Sequence, residues 1–434
     1  MTAVGLRPAA PPPERREPPR PGLPAVRVLP QATSAPAVLR YWVAAALLLA
    51  LGLRQTVAVG VTSGLVLALA LAPVWAPALA RYRGARTVAV CAGLALVWGL
   101  WLTEASLAER GASLANLVGT TALLLGVVCT AGVLLWARDV LPVSHMGLWF
   151  ALGMLASAAT GAARLSDNPW KFAFGIPIAI ALLSLVHRPR GTVRQVLALV
   201  ALAGASALQD SRSYFATFML AALLVAWQLR PTGSRRGSAV GTVLVVSAIG
   251  LVVYQVGSSL LVQGYLGREA QERSIAQIET SGSILVGGRP ELTATLALMR
   301  EHPLGFGSGA VPGPADVLTA KEGMASIGYQ PNNGYVENYM FGDDFKLHSM
   351  VGDSWAYFGF AGLLLMAVVA LLLLGNLARQ LAARTASGLV VFLTCWTAWN
   401  LLFSPLYSAA PTLGLALGLG LLAREPARSR VVGA

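Results

Sequence analysis

Residues 352–375 read GDSWAYFGFAGLLLMAVVALLLLG, a run whose single charge, Asp353, lies at its start. At about 1.5 Å of rise per residue, a helix of this length crosses the ~30 Å hydrocarbon core of a bilayer. A long polar stretch precedes the run, and NLARQLAAR (376–384) with its two arginines closes it. Similar apolar blocks recur on both sides. Twelve spans are expected, near 38–53, 56–80, 87–103, 114–137, 146–163, 171–187, 195–209, 213–229, 239–262, 352–375, 388–404 and 411–423. The expected fold is therefore all-α and integral to the membrane.

Composition agrees. The chain has 434 residues, 56% hydrophobic and 12% charged, with a mean hydropathy of +0.65. A soluble domain carries charge on roughly a quarter of its residues, so an ordinary soluble enzyme is excluded. The basic excess is nearly all arginine, since lysine occurs only at 171, 321 and 346. Cys91, Cys129 and Cys395 all fall in apolar runs, which argues against a disulfide framework or a thiolate metal site. Residues 1–37, with PPPERREPPRPG (11–22), lack apolar periodicity and read as a disordered tail, not a cleavable signal.

Charge sets the orientation. Basic residues cluster in the tail, in RYRGAR (81–86), HRPRGTVR (187–194), RPTGSRR (230–236) and NLARQLAAR, and after Ala423. Placed on one side, these segments hold about 21 basic and 4 acidic residues, against 11 and 15 on the other. The positive-inside rule then makes both termini, 1–37 and 424–434, cytoplasmic. Spans one to nine occupy 38–262 and spans ten to twelve 352–423. Between them, 263–351 forms one large external loop, and loops of this length are usually functional. Pro290 to Glu301 is expected as a helix with Leu292, Leu296 and Met299 on one face, ended by Pro303.

Several residues in or beside external segments carry chemistry. Arg212, in LQDSRSYFATFML (208–220), opens a span on the arginine-poor side; it marks a functional site, snorkels, or pairs with Asp210. Arg164 and Lys171, in ARLSDNPWKF (163–172), flank another external turn, where Asp167 can neutralise one of them. His348 stands at the mouth of span ten and can accept a proton from a hydroxyl, although an interfacial histidine is more often structural. His302 ends its helix, and His145 and His187 have no evident partner. GFGSG (305–309) lacks the Lys-Ser/Thr of a phosphate loop and reads as a close-packed turn. Asp343, Asp344 and Asp353 are acids able to meet a cation, but no spacing marks a metal site.

Together these features resemble the O-antigen ligase and polymerase superfamily of bacterial surface-polysaccharide assembly. Three pieces carry the resemblance: Ser211-Arg212 opening an apolar span; Arg289 followed by ALMREHPLGFGSG (297–309); and His348 with Gly359 and Gly362 after it. Their order and spacing agree over about 195–375. Two features depart from the pattern. Ser349 stands where the family's histidine is followed by asparagine, and GYQPNNGYVENYMFGDDF (328–345) is an insertion before His348.

The resemblance implies a glycosyltransferase C-like fold in the bacterial plasma membrane, and transfer of a glycan from a polyprenyl-diphosphate carrier. The acceptor hydroxyl would belong to a glycan, lipid or protein, so ligase and polymerase remain open. Arg212 and Arg289 would hold the diphosphate, Arg164 and Lys171 would add charge at that level, and His348 would be the base. No metal, other cofactor or nucleic-acid partner is expected. A transporter or flippase of lipid-linked glycans is the rival, but it would favour short loops and detectable halves. A non-catalytic scaffold would leave the external arginines and histidine unexplained.

Overall fold

The computed structural model of the protein describes residues 35–188, 191–230, 239–265, 267–281 and 287–424. Apart from 35–37, which open the first helix, and Arg424, the two expected tails lie outside the described residues. The described chain is mostly helical. Helix α1 (Ala35–Leu53) leads through a hairpin, β1 (Thr56–Ala58) against β2 (Val61–Thr62), into α2 (Ser63–Ala70) and α3 (Ala72–Trp75). Then come α4 (Ala85–Ser106), α5 (Leu114–Ala137), α6 (Val143–Thr160), α7 (Gly175–Leu185), α8 (Thr192–Leu208), α9 (Arg212–Ala226) and α10 (Ala239–Val262). The long polar segment contributes α11 (Arg268–Ser281), α12 (Glu291–Glu301) and α13 (Pro314–Ala325). The chain continues with α14 (Met350–Ala382), α15 (Gly388–Phe403) and α16 (Leu406–Gly420).

Every expected span contains helix, but among the described residues six helices are long and apolar enough to cross a membrane unaided. They are α1, α4, α5, α6, α9 with its extension to Leu229, and α14. Helices α8, α15 and α16 are apolar but shorter; even the 17 residues of α8 rise only about 25 Å. The expected span 56–80 is not one helix. Pro73 and Pro77 fall inside it, and a proline there removes an N–H and clashes with the preceding turn. Ser63–Ala70 and Ala72–Arg81 are instead bent by 62°. Exposed faces are themselves apolar, as at Val90, Leu94, Val97 and Trp101 of α4 and Leu364 and Leu371 of α14. Helices apolar on both buried and exposed sides suit a membrane, not water.

Several arginine-bearing helix ends are tied together. The Arg83 N–H donates to the Leu422 carbonyl at 2.9 Å and the Arg424 N–H to the Arg81 carbonyl at 2.8 Å. Arg138 donates to the Leu421 carbonyl at 2.6 Å, and Arg81 pairs with Asp139. Gln228 reaches the Ala386 carbonyl, Gln195 accepts the Gly388 N–H, and Tyr41 bonds His145, which therefore has a partner after all. These arginine-rich segments share one end of the helices. At the other end, Arg54 donates to the Tyr407 carbonyl at 3.3 Å and Asn116 to the Asp343 carbonyl at 2.7 Å.

Two details of the polar segment bear on the functional site. Helix α12 forms where expected but buries a different face: Glu291, Ala294, Thr295 and Leu298 are buried, whereas Leu296 is exposed. Internal bonds offset part of the cost of burying polar residues there: Tyr335 donates to Glu291 Oε1 and the Thr295 hydroxyl to the Glu291 carbonyl. The other detail is GFGSG, which forms a strap between α4 and α14. The Phe306 and Gly307 N–H groups donate to the Ala356 carbonyl at 2.9 and 3.0 Å. The Ser308 N–H donates to the Gly99 carbonyl at 3.1 Å, and the Gly309 N–H to the Thr103 hydroxyl at 3.0 Å. With these donors spent inside the protein, the strap has no nest left for a phosphate.

Candidate functional site

His348 lies just before α14 in left-handed backbone, with φ of 52°. Such strain in a side chain larger than glycine costs about 1–3 kcal/mol and persists only where neighbours enforce it. The neighbours are clear. The Ser349 hydroxyl caps α14, accepting the Gly352 N–H at 3.1 Å, and donates to the Leu401 carbonyl of α15 at 3.0 Å. Buried Asp353 accepts the Leu347 and Leu406 N–H groups, each at 2.7 Å. The serine that departs from the family pattern is thus a helix cap that ties the histidine loop to α15.

The tautomer of His348 follows from its partner. Its Nδ1 lies 3.0 Å from the Lys346 carbonyl. A carbonyl only accepts, so Nδ1 carries a proton, and in the neutral ring the lone pair is on Nε2. Lys346 pairs with Asp344 at 2.8 Å. Burial works to depress its amine, but the bond and charge of Asp344, together with Tyr407 and Asp343, hold it above its ordinary value.

Arg289 precedes α12. Its guanidinium carbon sits 5.7 Å from the Trp399 ring centre and 5.9 Å from that of Phe403, both near the end of α15. Among the described residues no carboxylate pairs with it. Tyr335 packs beside His348 and bonds the start of α12. Its ring centre is 5.8 Å from that of His348, and its hydroxyl donates to Glu291 Oε1 at 2.6 Å. Burial first, then the Glu291 carboxylate, push the Tyr335 phenol well above its ordinary value, and the Arg289 charge opposes them.

Arg212 is the first residue of α9, and its Nη1 donates to the Ser274 hydroxyl of α11 at 3.1 Å. Helix α9 meets α15 where Tyr214 packs edge-on against Trp396, ring centres 5.0 Å apart. From Trp396 to Phe403 is roughly 10 Å of helix. That short length of α15 carries the packing for Arg289, the anchor of the His348 loop and the contact of the Arg212 helix. No family model, curated protein or solved structure matches the chain. Function is therefore inferred from this geometry.

Lys171 joins the group through its backbone: the Tyr214 hydroxyl donates to its carbonyl at 2.7 Å, while its amine lies over the Phe172 ring. Arg164 is exposed on the neighbouring turn, and no ion pair joins it to Asp167. Of the acids weighed as cation ligands, Asp353 is committed to backbone N–H groups and Asp344 to Lys346. Among the described residues no three His, Cys, Asp or Glu side chains gather to hold an ion.

Two groups escaped the sequence. Glu291 and Tyr335 form one, and the only hint was that Glu291 lies two residues after Arg289. The other is an ion pair beneath the strap. Arg110 Nε and Nη2 donate to Asp316 Oδ2 and Oδ1 at 3.0 and 2.8 Å, with side chains 9% and 1% exposed. The Asp316 hydrogen bonds hold the guanidinium above its ordinary value. His302 Nε2 lies 2.9 Å from Arg110 Nη2 and must accept there, so this histidine does more than end α12.

Proposed function

We propose that the protein is an integral-membrane glycosyltransferase of the O-antigen ligase and polymerase kind. It moves a glycan from a polyprenyl-diphosphate carrier to an acceptor hydroxyl. The observation that carries this is His348, its Nδ1 held by the Lys346 carbonyl and its ring against Tyr335, in a loop anchored to the same end of α15 that carries Arg289. In this arrangement the chain crosses the bacterial plasma membrane about twelve times, counting the shorter helices and the bent one. Both termini are cytoplasmic and 263–351 faces outward. The gathering of arginine-rich segments at one end of the helices supports that orientation.

The chemistry follows from the groups. Arg289 and Arg212 bind the diphosphate through their planar donor forks, with Lys171 and Arg164 adding charge at the headgroup level. An apolar groove of about 460 Å³, lined by Trp170, Phe174, Ile178 and Leu208 among others, also includes Gln209, three residues before Arg212, and suits the isoprenoid chain. The acceptor hydroxyl gives its proton to His348 Nε2 while its oxygen attacks the anomeric carbon opposite the diphosphate. The C–O bond to the diphosphate breaks, polyprenyl diphosphate leaves with the electron pair, and the configuration inverts. The arginines stabilise that leaving charge, so no metal cofactor is needed.

The test is to mix purified protein with a polyprenyl-diphosphate-linked glycan and acceptor, and to follow release of polyprenyl diphosphate. Acceptor-dependent release that disappears in His348→Ala is expected. Movement of the intact lipid-linked glycan between leaflets, without release, would make the protein a flippase instead.

A further inference from the structure

The turn at 328–345 has two sides. Val336, Met340, Phe341 and Phe345 are buried, and Phe345 stacks on Phe306 of the strap with ring centres 4.1 Å apart. On the other side, Tyr335 and Tyr339 stack at 5.9 Å and 28°, and Tyr339 is 66% exposed. Short bonds hold this side in shape: the Tyr335 N–H donates to Asn333 Oδ1 at 3.0 Å, and the Asn333 amide to the Tyr329 hydroxyl at 3.0 Å. Lys321 braces the turn through Asn332 and Glu337.

Packing does not account for Tyr339, since the four buried side chains already seat the turn. Its ring extends an aromatic face that ends at His348. Beneath that face lies an unmet polar group. Glu291 is 7% exposed, and although its Oε1 accepts from Tyr335, its buried Oε2 has no partner among the described residues. A buried carboxylate oxygen left unbonded is costly, and a ligand hydroxyl or a bridging water would remove that cost. Flat aromatic faces rimmed by amide and carboxylate groups match a pyranose, which has apolar C–H faces and a rim of hydroxyls.

We propose that Tyr335 and Tyr339 form a stacking platform for a sugar ring of the acceptor, which delivers a hydroxyl of that ring to His348. This names the acceptor class as a glycan and rests on the glycosyl-transfer function above. Tyr339 stacks the ring, Asn333 and Glu337 lie at its rim, and Glu291 fixes the Tyr335 hydroxyl beneath it.

The experiment uses full-length protein in detergent and two probes: the oligosaccharide freed from the lipid-linked glycan by mild acid, and inorganic pyrophosphate. Saturation-transfer NMR reads the sugar, and calorimetry reads pyrophosphate. Wild type should saturate the ring protons of the oligosaccharide. Tyr339→Ala should weaken sugar binding at least tenfold and Tyr339→Trp should retain it, with pyrophosphate unaffected by either. Exposure of Tyr339 makes misfolding no obstacle. Equal sugar binding by wild type and Tyr339→Ala overturns the platform, as does wild type that binds no sugar. The two ideas separate cleanly. Glycan transfer with an unchanged acceptor KM in Tyr339→Ala removes the platform and leaves the transferase. Sugar binding through Tyr339 without any release of polyprenyl diphosphate removes the transferase and leaves the platform.

Discussion

Arg289 rests on Trp399, its guanidinium carbon 5.7 Å from the ring centre. A carboxylate in that place would hold the arginine and also quench it, whereas an aromatic ring holds the cation and leaves its N–H donors free. Such a contact is worth about 0.5–2 kcal/mol. Arg289→Ala is therefore expected to lower turnover at least tenfold, about 1.4 kcal/mol or more, and Arg212→Ala likewise. Lysine should rescue only in part, because it lacks the planar fork. Trp399→Leu, which keeps the charge and loses the shelf, should fall between wild type and Arg289→Ala when donor concentration is varied. Undiminished turnover in both alanine variants would take the arginines out of the mechanism.

His348→Ala should lower transfer by roughly two to four orders of magnitude, the usual worth of acid–base assistance. Pyrophosphate binding should be nearly unchanged, because on the proposed function that ligand meets the arginines. Transfer by His348→Ala at the wild-type rate would place the base elsewhere.

Much of the helical layout is legible in the chain because an apolar run of about twenty residues has few alternatives. The bend after Ala70 was visible too, in Pro73 and Pro77, but hydropathy averaged it away. The site was legible only as separate residues. Arg289, the His348 loop and the helix that carries Arg212 each meet α15, whose Trp396, Trp399 and Phe403 read as ordinary apolar side chains. Glu291, Tyr335, Arg110 and Asp316 were hidden for a different reason. Each owes its environment to a residue far along the chain, and nothing local marks Asp316 as the partner of Arg110, 206 positions away.

That ion pair gives a stability prediction. Arg110 and Asp316 are nearly enclosed, and Phe306 lies 4.9 Å from the guanidinium. Removing one member strands the other charge, at a cost of about 3–5 kcal/mol. Arg110→Ala should therefore lower the melting temperature markedly, while Arg300→Ala, on the exposed side of α12, should not. The check is thermal unfolding of both variants in the same detergent, and matched melting curves would mean the pair is solvated.

Tyr335 predicts a response to alkali. The folded protein raises its pKa, so its contribution to stability is fully present below the ordinary phenol value near 10 and is lost as pH rises beyond it. Unfolding measured from pH 9 to 12 should show a steeper alkaline decline for wild type than for Tyr335→Phe, which has no proton to release. Parallel curves would mean that Tyr335 ionises freely in the folded state.

The strap offers the most local test, because it pits two glycines of one segment against each other. Gly305 has φ of 88°, where any side chain is strained, and its Cα side faces α14 so closely that an added Cβ would overlap the Trp355 carbonyl oxygen and lie 3.2 Å from Gly359 Cα. Both obstacles are backbone, so neither can rotate away. Gly359 is itself left-handed at the break in α14, with φ of 55° and ψ of −140°, and an added Cβ there would overlap the Leu304 carbonyl. Gly305→Ala therefore combines backbone strain with overpacking, about 2 kcal/mol or more. Gly313, eight residues on, has φ of −96°, and its added Cβ would meet nothing nearer than Asp316 Oδ2 at 3.5 Å, an ordinary contact. Gly313→Ala should stay within about 0.5 kcal/mol of wild type. Thermal unfolding of the two variants decides the matter: a clear loss for Gly305→Ala alone is expected, and equal melting temperatures would mean that the strap does not pack between α4 and α14.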